Sequence, residues 1–213
     1  MTALLMLGLA AYGLPLALWA RVRGWLAIAG ASFLLGAGAV SLHLFVLSVM
    51  HVQWSRASVL VAITPLFVLS VVFAKRRMGF SPSIPSGRAE ARPTFVDALL
   101  LIPILAYVYF ALYAPPFEWD FYGVWGIKAR WFFDAGGIDW TWLATNSAHP
   151  DYPLLLPLLF DFTAVISGAW NDASFGWIYV ALCVSFILVA REQSSALVAL
   201  AIVFPALNPW IGL

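Results

Sequence analysis

The chain has 213 residues, of which 63% are hydrophobic and only 10% are charged, and its mean hydropathy is +0.94. Soluble domains are about half apolar and a quarter charged, so this composition excludes an ordinary soluble protein and predicts an integral membrane protein. The net charge of +1 leaves no basic field that would recruit nucleic acid. The single cysteine, Cys183, excludes an internal disulfide and is expected to be a small buried hydrophobe.

Apolar stretches along the chain predict an all-α, polytopic membrane protein with one transmembrane domain. An apolar run of about 20 residues suffices to cross the hydrocarbon core as a helix. The predicted spans are 1–20, 25–50, 59–74, 95–113, 154–170, 175–190 and 195–213. The first is expected to be retained, because no basic residue of a signal peptide precedes Arg21. Pro205 and Pro209 leave the seventh crossing open, with six spans as the alternative.

Two features of the first three spans and the segment after them bear on orientation and function. His43 has no acidic neighbour in its own predicted helix, so we expect it to bond to an adjacent helix rather than serve a proton relay. The linker 75–94 carries five of the eleven cations, Lys75, Arg76, Arg77, Arg88 and Arg92. The positive-inside rule places it, with Arg21 and Arg23, on the cytoplasmic side of the membrane, where it would attract anionic lipid.

The loop 114–153 is then external, and it holds five of the eleven tryptophans. The mixture of rings and charges over 117–133 predicts a helix lying in the membrane interface, with charges turned toward water and an end at Gly136 and Gly137. Asp120 and Lys128 are eight positions apart and share one side of such a helix, whereas Arg130 points elsewhere. His149 to Pro153 are expected to form a rigid polar corner.

Two segments of this loop, WDFYGVWGIKARWFF (Trp119–Phe133) and HPDYPLLLPL (His149–Leu158), resemble bacterial members of the glycosyltransferase C superfamily. Those polytopic enzymes use polyprenyl-phosphate sugars, and their first large external loop carries an acidic residue. The resemblance implies that a sugar passes from a polyprenyl-phosphate donor to an acceptor hydroxyl on the extracytoplasmic face of a bacterial inner membrane. It identifies neither the sugar nor the acceptor.

The resemblance also implies roles for individual residues. Asp120 would be the general base. Neighbouring aromatic rings would exclude water from its carboxylate, which would raise its pKa and increase its basicity. Lys128 and Arg130 would hold the lipid-linked phosphate. The remaining candidates for binding substrate are Glu118, as a second possible acid, and the corner residues His149, Asp151 and Tyr152. No cofactor is predicted, and a divalent metal between Glu118 or Asp120 and the corner is left open.

Asp161 lies inside a predicted span, and an acid there is expected to face a cavity or a partner, which makes it a further candidate for binding substrate. Asn171 and Asp172 are expected to cap the next helix at a cytoplasmic turn. The superfamily usually has more spans, so we expect a truncated chain or a partner chain that supplies them.

Alternatives to an enzyme remain. A small transporter or flippase would use Asp161 and His43, and a non-catalytic membrane subunit would need neither. The loop charges could also be ordinary interfacial anchors, with Arg130 and Asp134 as a surface ion pair.

Overall fold

The computed structural model describes residues 2–78, 99–113, 121–145 and 149–193, and within these ranges it contains helices and no strand. The helices are α1 (Thr2–Trp19), α2 (Trp25–Val49), α3 (Arg56–Met78), α4 (Leu101–Tyr113), a π-helix (Phe121–Trp125) continued by α5 (Gly126–Ala135), α6 (Trp140–Thr145), α7 (Leu155–Ser167) and α8 (Asp172–Gln193). The predicted all-α class is therefore confirmed.

Among the described residues, three helical stretches are long and apolar enough to cross a membrane: Trp25–Val49, Arg56–Phe73 and Asp172–Glu192. They correspond to the second, third and sixth predicted spans and support a membrane protein. The other apolar helices, Leu4–Trp19, Leu101–Tyr113 and Leu155–Ser167, are shorter. A helix of 13 residues is about 20 Å long, whereas the hydrocarbon core is about 30 Å thick. Seven spans are thus not confirmed, and the predicted span 195–213 lies outside the described residues.

Small residues bring α1 and α2 into close contact. A Cβ atom on Gly36 would collide with the carbonyl oxygen of Leu9, and one on Gly13 would collide with the carbonyl oxygen of Ser32. In a membrane the lipid is as apolar as the side chains, so the hydrophobic effect does not drive helices together. They associate instead through close packing of their backbones at small residues. His43 lies in this pair, where its Nδ1 contacts the Ala39 carbonyl at 2.5 Å and its Nε2 contacts the Tyr12 hydroxyl at 3.4 Å. The predicted bond to a neighbouring helix is confirmed.

The bundle has two chemically different ends. At the first, which we call the basic end, Gly24 packs against the Glu192 carboxylate, so the start of α2 meets the end of α8. Arg21 and Arg23 precede α2 there, and α3 runs toward this end with Lys75, Arg76 and Arg77 in its last turns. This grouping agrees with the positive-inside prediction for those cations.

The opposite end, which we call the loop end, holds the segment between α2 and α3 together with the loop. The Trp54 amide donates to the Gly136 carbonyl at 2.7 Å, and the Ile138 amide donates to the Ser48 hydroxyl at 3.0 Å. α4 arrives at this end, because Gly176 near the start of α8 packs on Ala111. The loop residues from Phe121 to Thr145 therefore fold on the loop end.

α7 stays within the half of the bundle next to the loop end. Its first carbonyl, that of Leu155, accepts a bond of 3.2 Å from Ser41 Oγ, about two turns before the end of α2. Its last carbonyl, that of Ser167, accepts a bond of 2.5 Å from Arg56 at the loop end. The crossing predicted for 154–170 is therefore not confirmed. The turn at Asn171 and Asp172, which the sequence predicted on the side opposite the loop, lies at the loop end instead.

Candidate functional site

The loop helix turns one face inward and leaves the other exposed. Lys128, Ala129 and Phe132 are buried on the side where α5 packs against α7, while Tyr122 and Trp131 are about half exposed. α5 ends at Gly136, which has a left-handed backbone with φ of 70°, as the sequence predicted. The two acids assigned before this helix, Glu118 and Asp120, lie outside the described residues.

Lys128 is fully buried, with 0% of its surface exposed. Its ammonium donates to the His149 carbonyl and lies 5.6 Å from the centre of the Trp125 ring and 5.7 Å from that of Tyr152. Burial lowers the pKa of Lys128, and the nearby Asp151 carboxylate acts in the opposite direction. The prediction that the helix charges turn toward water is wrong for this residue, because rings and the corner backbone replace its hydration.

The polar corner after the loop helix covers Lys128. The His149 ring stacks on Tyr152 at 4.6 Å, and Tyr152 lies 5.5 Å from Trp125. The Tyr152 amide also donates to the His149 carbonyl at 3.1 Å, so that one oxygen serves both the ammonium and the turn. His149 has a positive φ of 50°, which is unusual for a residue other than glycine. Lys128, His149, Asp151 and Tyr152, all assigned from the sequence, thus lie together.

Arg130 lies on another side of α5, as the sequence predicted. Its Nε donates to Asp134 Oδ2 at 2.8 Å, and the two side chains are 52% and 54% exposed. An exposed pair of this kind contributes at most about 1 kcal/mol. The guanidinium also lies 5.4 Å from the centre of the Trp170 ring. Arg130 is therefore accessible from solvent, whereas Lys128 is not.

A groove of about 360 Å³ opens on the side of Arg130. Its walls come from the start of the loop helix and from the turn before α8: Phe121, Tyr122, Gly126, Ile127, Arg130, Trp170 and Asp172. The Trp170 indole donates to Asp172 Oδ1 at 2.5 Å, so this carboxylate contacts a ring of the groove. Neither Trp170 nor Asp172 was assigned to the site from the sequence. They lie beside α5 only because α7 ends at the loop end, which brings the turn that follows it next to the loop helix.

Asp161 lies in the middle of α7 with 0% of its surface exposed. Neither carboxylate oxygen has a hydrogen-bond partner in the described part of the chain. The predicted cavity or partner is thus not found among those residues, and Asp161 is separate from the groove.

No three His, Cys, Asp or Glu side chains within the described ranges are grouped as a metal site requires. The question of a metal beside Glu118 or Asp120 falls on residues that the structure does not describe. Comparison of the chain with protein-family models, with curated proteins and with solved structures found no match.

Proposed function

We propose that the chain is a membrane glycosyltransferase that moves a sugar from a polyprenyl-phosphate donor to an acceptor hydroxyl at the loop end. One observation supports this most directly. The two segments that resemble the glycosyltransferase C superfamily pack on each other through Lys128, Trp125 and the corner at His149 and Tyr152. Segments that merely anchored a loop at the bilayer surface would not need to share a buried ammonium.

In this proposal Asp120 takes the proton from the acceptor hydroxyl while the oxygen attacks the anomeric carbon. The bond from that carbon to the phosphate oxygen breaks, and its electron pair leaves with the polyprenyl phosphate. Phe121, the residue that follows Asp120 in the chain, lines the groove in which the donor would bind. Glu118 is the second acid of the same segment.

The two cations have different roles in this proposal. Arg130 lines the groove and is half exposed, and its guanidinium keeps donors besides the Nε–H that bonds to Asp134. It is the cation that would meet the leaving phosphate. Lys128 is covered by the corner, so it acts as a positioning residue that holds the His149 carbonyl, with the Asp151 carboxylate near its ammonium.

The test is transfer of radiolabel from a mixed pool of polyprenyl-phosphate sugars by membranes that hold equal amounts of each variant. We expect wild type and the control Asp139→Asn to transfer label and Asp120→Asn to lose at least about 100-fold, the usual contribution of general base catalysis. Asp139 is a suitable control because it is a loop acid whose bonds go to Trp131 and Trp142, away from the groove. Equal transfer by wild type and Asp120→Asn, or none by any correctly inserted variant, would refute the proposal for this chain.

A further inference from the structure

The groove beside Arg130 joins aromatic rings to a carboxylate and a guanidinium. Tyr122 is 53% exposed, so its ring is accessible to a ligand. The Trp170 ring is held in place by its bond to Asp172 and by an edge-to-face contact of 4.8 Å with Phe175. Fixed rings flanked by hydrogen-bonding groups are suited to a ligand that has an apolar face and a polar rim.

We propose that this groove binds a single uncharged sugar ring, with the rings of Tyr122 and Trp170 against its C–H face and Asp172 accepting bonds from its hydroxyls. A sugar ring presents axial C–H groups on one face and hydroxyls around its edge, which matches this lining. Ligand pockets usually measure about 300–1,000 Å³, and a groove of about 360 Å³ is at the lower end, as one ring requires.

The charges of the groove favour a neutral ring over a free anion. Arg130 is paired with Asp134 at 2.8 Å, and Asp172 lines the groove with it. Two carboxylates therefore accompany one guanidinium, so a free phosphate would be held only weakly. A phosphate that meets Arg130 would depend on the further contacts of the sugar and lipid attached to it. Asp172 uses Oδ1 for the Trp170 indole, and a carboxylate has further acceptor positions for sugar hydroxyls.

The bound ring could belong to the donor or to a glycosylated acceptor. In the donor, the ring would lie on Tyr122 while the attached phosphate meets Arg130. In an acceptor, the ring alone would occupy the groove. Whether the ring belongs to the donor or to the acceptor is a question that rests on the proposed function. The proposal that the groove binds a sugar ring does not rest on it.

The first experiment measures binding without turnover, by saturation-transfer NMR of the full chain in lipid nanodiscs. The probes are the methyl glycosides of glucose, galactose, mannose and arabinose, with inorganic phosphate as competitor. We expect at least one glycoside to bind, and Tyr122→Ala and Asp172→Asn each to weaken it about three- to tenfold. Phosphate at the same concentration should not displace it.

Two matched controls exclude a general effect of substitution. Tyr109→Ala removes a tyrosine that is 58% exposed on α4, outside the groove. Asp139→Asn removes a carboxylate that, like Asp172, accepts a bond from a tryptophan indole. Both controls should bind the glycoside as wild type does. No binding of any glycoside by wild type, unchanged binding in Tyr122→Ala and Asp172→Asn, or displacement by phosphate would overturn the inference.

The transfer assay then identifies the source of the ring and keeps the two proposals apart. A raised KM for the donor in Tyr122→Ala would assign the groove to the donor sugar, and a raised KM for the acceptor would assign it to the acceptor. Transfer that depends on Asp120 but keeps both KM values in Tyr122→Ala and Asp172→Asn would overturn the sugar subsite alone. If wild type binds a glycoside, if Tyr122→Ala and Asp172→Asn lose that binding, and if the chain transfers no sugar, only the proposed function is refuted.

Discussion

Replacing Lys128 by methionine tests whether the buried ammonium holds the polar corner in place. Methionine has a similar length and fits an apolar environment, but it has no hydrogen to donate to the His149 carbonyl. The same carbonyl accepts the Tyr152 amide at 3.1 Å, so the hydrogen bond of that amide reports on the turn. We therefore expect the corner to open more often in Lys128→Met.

The magnitude follows from the contacts of the ammonium. A hydrogen bond from a charged donor contributes about 1.5–3 kcal/mol, and each cation–π contact, here with Trp125 and Tyr152, contributes about 0.5–1 kcal/mol. Part of this gain is offset because the substitution removes a charge that is unfavourable to bury. A net loss of about 2 kcal/mol corresponds to about 30-fold more frequent opening.

The assay is hydrogen exchange of the Tyr152 amide, followed by mass spectrometry of the full chain in nanodiscs. Exchange at this amide should be about 30-fold faster in Lys128→Met, because local opening limits it. Arg130→Met is the control, since it removes a cation from another side of α5 that makes its contacts with Asp134 and Trp170. The reasoning fails if exchange at Tyr152 is unchanged in Lys128→Met, or if both variants accelerate it equally.

Three further predictions concern stability, measured by thermal unfolding. Gly36→Ala should lower the free energy of unfolding by about 1–3 kcal/mol, because its methyl would strike the Leu9 carbonyl, whereas Gly38→Ala meets nothing within 4 Å and should not. Asp161→Asn should change the free energy of unfolding by less than about 1 kcal/mol, because neither carboxylate oxygen has a hydrogen-bond partner among the described residues. Breaking a buried ion pair would instead lower it by about 3–5 kcal/mol. Burial lowers the pKa of Lys128 in the folded chain below its usual 10.5. Between the folded and unfolded pKa values the unfolded chain binds more protons, so the free energy of unfolding should rise with pH in that range. Lys128→Met should not show this rise.

Some contacts within the loop could be predicted because they depend on spacing along one helix. Arg130 and Asp134 are four residues apart and form the surface ion pair that this spacing allows. Gly136 ends α5 because the left-handed cap favours glycine. The burial of Lys128 could not be predicted in this way, since it depends on a corner 21 residues later in the chain. The spacing of residues within the loop helix cannot predict that the corner at His149 will replace the water around the Lys128 ammonium.

The sequence by itself predicted a helical membrane protein, because a composition of 63% hydrophobic and 10% charged residues is more apolar than that of soluble domains, and its apolar runs are long enough to cross a membrane as helices. It also predicted the basic end, since the cations cluster in two short segments. Only the tertiary structure decided where α7 runs and that Trp170 and Asp172 meet the loop helix. Hydropathy measures how apolar a helix is, but the direction of a short helix depends on the side chains and carbonyls it meets in three dimensions.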